Sequence, residues 1–209
     1  MKNIIVTQRL ILNDSYYELR EALDIKWGSL FEQLDILPIV LPMEYDFKKY
    51  FNNIQIDGIL LTGGNDLNSL NKSTESLKRD NFEKELIDYG IKHNIPIFGM
   101  CRGMQIIAEY FRCSFKKVED QVAIKHTIKV NKQSKYFDLL EKIDKVNSFH
   151  NFAVDNITDE LIVSARNEKN MIKAIEHKQY KIFGQMWHSE REKPFNSGEI
   201  NMIREFFND

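Results

Sequence analysis

A cysteine in the middle of the chain and a histidine followed by a carboxylate near its end are the residues best suited to covalent chemistry. Cys101 sits within Pro96-Ile97-Phe98-Gly99-Met100-Cys101-Arg102-Gly103-Met104-Gln105. The apolar run Ile95 to Phe98 predicts a short buried strand, and Met104 to Phe111 has helical spacing. Strand, tight turn and helix in that order make a nucleophile elbow. The turn residue is strained, and glycines two positions to either side remove Cβ atoms that would clash. The sulfur then lies at the carboxyl end of a strand and the amino end of a helix. There the helix dipole and free N–H groups stabilise a thiolate, the reactive form. A buried cysteine in an ordinary strand–helix turn is the plainer interpretation of such a residue, so its partners decide.

A thiolate nucleophile needs a base, and the base needs a group to orient it. In Phe183-Gly184-Gln185-Met186-Trp187-His188-Ser189-Glu190 a predicted strand ends at His188. Two residues on, the Glu190 carboxylate can curl back onto the far imidazole nitrogen. His93 and His177 stand in polar surroundings with no evident partner and are read as ordinary histidines. Acyl transfer also needs donors for an oxyanion. Gly63-Gly64 directly follows a predicted strand, so the Gly64 N–H and the Arg102 N–H form the natural pair. On its own, Gly63-Gly64 would be a plain turn.

The elements that must position these groups alternate. Strands are expected over Asn3–Val6, Ile36–Leu41 and Ile56–Leu61, with helices over Trp27–Leu34, Phe47–Phe51 and Asp80–Lys92. Gln8–Tyr17 reads as a loop over the site, and Tyr17–Leu23 as a short helix or an insertion. Asn68–Arg79, rich in Ser, Lys and Asn, reads as a mobile surface loop. Short strands follow near Lys125–Asn131, Lys145–Asn147, Leu161–Ala165, Ile172–Glu176 and Lys181–Gln185, before a helix from Ser197 to Phe207. This pattern predicts an α/β fold. Its form is a three-layer, doubly wound, mostly parallel sheet with helices on both faces, in one domain over 1–209.

The chain has 209 residues, 43% apolar and 29% charged, with a formal net charge of -2. No basic stripe is evident, so nucleic acid is not an expected partner. No apolar run reads as a signal peptide or a membrane span. Cys101 and Cys113 are the two cysteines, expected on opposite sides of the elbow helix and unbridged, which suits a cytoplasmic protein. No metal or other cofactor is expected, since the five histidines lack ligand spacing.

Four blocks resemble the class I glutamine amidotransferase-like family, in its γ-glutamyl hydrolase branch, whose architecture is flavodoxin-like. They are Leu60-Leu61-Thr62-Gly63-Gly64-Asn65-Asp66; Arg79-Asp80-Asn81-Phe82-Glu83 with the elbow; Val146-Asn147-Ser148-Phe149-His150; and Trp187-His188-Ser189-Glu190. The resemblance implies Cys101 as nucleophile, His188 as general base and acid, and Glu190 as its orienter. It implies an oxyanion and substrate site from Gly63, Gly64, Arg102, Gln105, Asn147, Ser148, Phe149 and His150. Gln105 and the Ser148–Phe149 backbone would hold the α-amino and α-carboxylate ends of a γ-glutamyl group. His126 and His150 match histidines of the branch, with structural and substrate-contact roles both open. The family usually has Pro at Ser189, Gln at Met186 and His-Gln at Asn151-Phe152, the last close to the expected leaving group.

The implied reaction is hydrolysis of a small-molecule γ-glutamyl amide through a γ-glutamyl thioester, releasing glutamate. A nucleotide-linked leaving group and a polyamine or γ-aminobutyrate one are both open. For the former, Arg9, Tyr16, Tyr17, Lys72 and Arg79 are the loop residues that could approach an anion. Competing readings are a glutaminase component passing ammonia to a separate synthase, and a binding domain that keeps the fold. Homo-oligomerisation is also open.

Overall fold

The computed structural model describes residues 1–119 and 121–208. The strands are β1 (Lys2–Val6), β2 (Arg9–Leu12), β3 (Leu19–Ala22), β4 (Ile36–Val40), β5 (Gly58–Leu61), β6 (Ile97–Met100), β7 (Phe115–Lys117), β8 (Val122–Val130), β9 (Lys145–Phe149), β10 (Phe152–Val154), β11 (Leu161–Asn167), β12 (Ile172–His177) and β13 (Ile182–Gln185). The helices are α1 (Lys26–Leu34), α2 (Lys48–Asn53), α3 (Thr74–Lys92), α4 (Arg102–Tyr110), α5 (Phe137–Leu140) and α6 (Ser197–Asn208). Nine strands form one sheet in the order β4-β1-β5-β6-β13-β12-β11-β8-β9. The first five are mutually parallel. Beyond them only β12 and β8 run against the rest.

Helices cover both faces. Along β1, Ile4 and Val6 pack with α1, α5 and α6, while Ile5 packs with α3 and α4. The same alternation divides Leu60 and Phe98 from Ile59 and Ile97. A strand covered on both sides is apolar at every position, and β5, β6 and β13 are buried throughout. These three are neighbours in the sheet, and Gly63, Cys101 and His188 each follow one of them. The order of strands therefore brings three segments distant in sequence to the carboxyl end of one patch of sheet, where open α/β folds hold their ligands.

Several local expectations are corrected. Residues 8–23 are no loop and helix: β2 and β3 pair as an antiparallel hairpin, tied to the core because Asn65 brackets the backbone of Leu10 from both sides, at 2.9 and 3.0 Å. The stretch Asn68–Arg79 is a loop only to Ser73, whose hydroxyl accepts from the Ser76 N–H at 3.0 Å and caps α3. The helix after the elbow starts at Arg102, two residues before Met104. Two short strands, β7 and β10, pair with each other outside the main sheet. Cys101 and Cys113 are both free. Among the described residues no helix is long and apolar enough to cross a membrane.

Candidate active site

Cys101 stands between β6 and α4 with φ 52° and ψ -103°, a conformation few residues other than glycine adopt. What holds it there is the close approach of strand and helix. A Cβ on Gly103 would lie 2.0 Å from the carbonyl oxygen of Leu61, and the Cys101 N–H donates to the Gln185 carbonyl at 2.7 Å. β5 and β13 thus grip the turn from two sides. The strain predicted for a nucleophile elbow is present at the predicted residue.

His188 meets it from β13. A Cβ on Gly63 would lie 2.9 Å from His188 Cε1 and 3.6 Å from Cys101 Cβ, so the three residues converge on one point. His188 Nδ1 and Glu190 Oε1 are 2.6 Å apart, both side chains buried. A carboxylate only accepts, so Nδ1 carries the proton. With Nδ1 committed to Glu190, the interaction with Cys101 runs through Nε2, which is buried and has no fully formed hydrogen bond of its own. Burial pushes the imidazole pKa down. The negative charge of Cys101, with contacts to Cys101 and Glu190, pushes harder, up to about 9. The folded site favours the imidazolium form of His188.

Asn147 was expected to contact substrate; instead it braces the histidine. Its Oδ1 accepts from the His188 N–H at 2.8 Å, and its Nδ2 donates to the His188 carbonyl and to Glu192 Oε1, each at 2.8 Å. That engages the whole amide. Ser148 is likewise turned inward, its hydroxyl bonded to Lys173.

The segment expected to supply oxyanion donors rests on a buried charge network. Arg79, expected in a surface loop, lies fully buried on α3. Its guanidinium donates to the carbonyls of Thr62 (2.8 Å), Gly63 (3.1 Å) and Gly64 (2.6 Å), and to Glu83 (2.9 Å). In a trans peptide the N–H points opposite the carbonyl. Turning the Gly63 oxygen to Arg79 therefore aims the Gly64 N–H the other way. Gly64 has φ 85°, which a side chain would resist. Arg102, whose backbone N–H was the second expected donor, sends its buried side chain to Asp80 and Glu83. It opens α4, where first-turn N–H groups lack helical partners.

A cleft of about 290 Å³ opens over these groups, its wall including Cys101, His188, Gly64, Gln105, Phe149 and His150. Gln105 is fixed by donating to the Phe152 carbonyl at 3.0 Å. Asn151, where the resemblance would place a histidine, is on the wall too. Of the cations considered for an anionic group, Arg9 reaches the cleft. Arg191, which the sequence did not single out, joins it with its guanidinium 4.4 Å over the Phe149 ring. Tyr16 and Tyr17 are exposed on the hairpin. His177 is buried, and its Nδ1 accepts from the N–H groups of Gln179 and Tyr180. His126 pairs with Glu168 at 2.7 Å. Among the described residues no three His, Cys, Asp or Glu side chains gather to hold a metal ion. Lys173, buried on β12 behind Cys101 and His150, went unread; a lysine within a strand otherwise suited to full burial was the available signal.

The peptidase C26 family matches residues 13–190. The γ-glutamyl-CDP-amidate hydrolase of Campylobacter jejuni is 38% identical over 205 residues, 97% of this chain and 96% of that one. A glutamine-hydrolysing GMP synthase component from Methanosphaera stadtmanae is 29% identical over 68% of this chain and 70% of its own. A glutamine amidotransferase structure from Thermotoga maritima superposes with a TM-score of 0.73 at 14% identity, covering 100% of this chain and 99% of that one. Sequence match and fold agree that this chain belongs to the peptidase C26 family, with the architecture of class I glutamine amidotransferases.

Proposed function

We propose that the chain hydrolyses a γ-glutamyl amide through a γ-glutamyl thioester on Cys101, and that its substrate is γ-glutamyl-CDP-amidate or a near analogue. The observation that carries this reading is the convergence of a strained cysteine with a histidine whose far nitrogen is held by a carboxylate. The thiolate attacks the γ-carbonyl carbon. The Gly64 and Arg102 N–H groups hold the oxygen as it gains charge. As the C–N bond breaks, the His188 imidazolium gives its Nε2 proton to the departing nitrogen. The imidazole, now neutral, takes a proton from water as its oxygen attacks the thioester, and glutamate leaves with the thiolate restored.

The leaving group is argued from likeness to the Campylobacter jejuni hydrolase across nearly the whole chain, and from Arg9 and Arg191 on the cleft wall. Both suit an anionic group; a polyamine would meet two cations. A role in capsule modification is part of this proposal and rests on no residue in particular.

The test is glutamate release from a panel of γ-glutamyl compounds: the nucleotide amidate, γ-glutamyl peptides, γ-glutamyl polyamine derivatives and glutamine. The nucleotide amidate should give the highest kcat/KM, and Cys101→Ala should release none from any substrate while melting as the wild type does. Persistent release by Cys101→Ala would overturn the thioester route. Preference for glutamine, rising when a second protein is added, would favour the glutaminase reading.

A further inference from the structure

Behind the cleft lies a cation with no anion to bond. Lys173 is 1% exposed on β12, and its Nζ approaches three acceptors: Ser148 Oγ at 2.8 Å, His150 Nε2 at 3.0 Å and Gln121 Oε1 at 3.1 Å. An ammonium has three N–H groups and no lone pair, so the three contacts use it fully. None of the three is a carboxylate. The nearest negative charges acting on it are Cys101 and Glu168, the latter already paired with His126.

One of these contacts decides a proton elsewhere. Because Lys173 can only donate, His150 Nε2 must accept, and the ring proton must sit on Nδ1. His150 lines the cleft beside Phe149 and Asn151. Its Nδ1 is buried and has no partner at hydrogen-bond geometry, although the Phe152 carbonyl lies close by. That carbonyl also accepts from Gln105, which leaves one of its two lone pairs facing this weak contact. The Nδ1 donor of a cleft-lining residue is thus short of a well-formed hydrogen bond, and leaving it so is costly.

We infer that Lys173 is a positioning residue of this hydrolase: it fixes His150 as a neutral Nδ1–H donor, which a substrate acceptor oxygen in the cleft completes. The substrate half rests on the reading of the chain as a γ-glutamyl amide hydrolase; the tautomer half does not. The electrostatics agree with the geometry. Burial and then the Lys173 charge push the His150 pKa down to about 3, with His188 and His126 adding to the effect and Phe152 opposing it. Lys173 is itself lowered by burial to about 8, against the raising effect of Cys101 and Glu168. Below that value the ammonium keeps His150 uncharged. A second imidazolium next to His188 is thereby avoided.

The experiment has two arms. In ¹⁵N-labelled wild-type protein, His150 should show a bare Nε2 and a protonated Nδ1, unchanged between pH 5 and 7.5. In Lys173→Met, where burial remains, its midpoint should rise above the wild-type value while staying below the ordinary histidine value. In steady-state kinetics on γ-glutamyl-CDP-amidate, Lys173→Met should raise KM at least tenfold with a smaller change in kcat. The same substitution should add less than twofold in a His150→Ala background. A wild-type His150 that titrates normally, or carries its proton on Nε2, overturns the inference. So do effects of the two substitutions that simply multiply. The wild-type spectrum decides the tautomer even where Lys173→Met does not fold. It also decides it where no γ-glutamyl compound is turned over, so failure of the hydrolase reading is told apart from failure of this one.

Discussion

Glu190 holds one nitrogen of His188 and Cys101 acts on the other, so the charge of the imidazole depends on the state of the sulfur. His188 should titrate near pH 9 in the wild type. In Cys101→Ala the largest raising influence is gone while burial remains, and the midpoint should fall well below that. Proton NMR of the His188 ring checks it; an unmoved midpoint would show that the two side chains do not interact. The sign for stability follows. A histidine raised in the folded state stabilises fully below its ordinary value near 6.5, and that contribution is lost as pH climbs through about 9. Cys101, His188 and Glu190 were legible in the sequence because their relations are local: glycines two positions away, a carboxylate two residues on. Lys173 was not, because its partners Gln121, Ser148 and His150 are remote in sequence and only the sheet brings them together.

The segment after β5 keeps its shape through α3. Arg79 takes up three successive carbonyls and Glu83 at once, and a linear ammonium has no fork to match that set. Replacing it by Met would leave buried oxygens unmatched, a loss of about 3–5 kcal/mol by analogy with a broken buried pair. Arg79→Met should therefore melt lower. It should also lose glutamate release well below its melting temperature, since the Gly64 N–H is no longer aimed. Urea denaturation with activity measured at low temperature separates the two effects; full activity in the folded variant would count against the oxyanion assignment. This helix shows where reading by composition stops. Lys72, Ser73, Thr74, Glu75, Ser76, Lys78 and Arg79 look like a solvated loop. The Ser73 cap was the local sign of a helix, but nothing local distinguishes the buried Arg79 from the exposed Lys78. The β2–β3 hairpin escaped for a related reason. Ile11 and Leu12 are both exposed, so no alternation marks the strand, and contacts from Asn65 set its course.

Across the whole molecule, α6 packs its first turn under the histidine segment and buries Glu199 there. Burial, then Glu192 and Glu190, raise its pKa from 4.5 to about 7, with Ser189 and Lys125 opposing. Charge at a helix N-terminus gains about 0.3–1 kcal/mol. A shift of this size is worth on the order of 3 kcal/mol, so desolvation wins. The folded protein holds this proton more tightly than the unfolded chain does. Stability therefore falls as pH rises from about 4.5 to 7 and is then level. Glu199→Gln should match the wild type at pH 4.5 and exceed it at pH 8, by thermal melting at both. Equal melting points at pH 8 would mean the carboxylate is solvated. The alternation of strands and helices was legible from apolar runs, because a sheet covered on both faces needs them. The reversed strands β8 and β12 were not, since direction depends on pairing and pairing is not written in composition.

β13, the last of the described strands in chain order, lies in the middle of the sheet between β6 and β12. A growing polypeptide thus carries Cys101 with no His188 beside it until the segment after β13 is made. The thiol meets His188 only when that strand slots into a waiting gap. Until then β6 offers a bare central edge, apolar on both sides, to any strand that comes near. Losing everything from β13 onward would therefore do more than remove His188: it would turn the interior into a template for clumping.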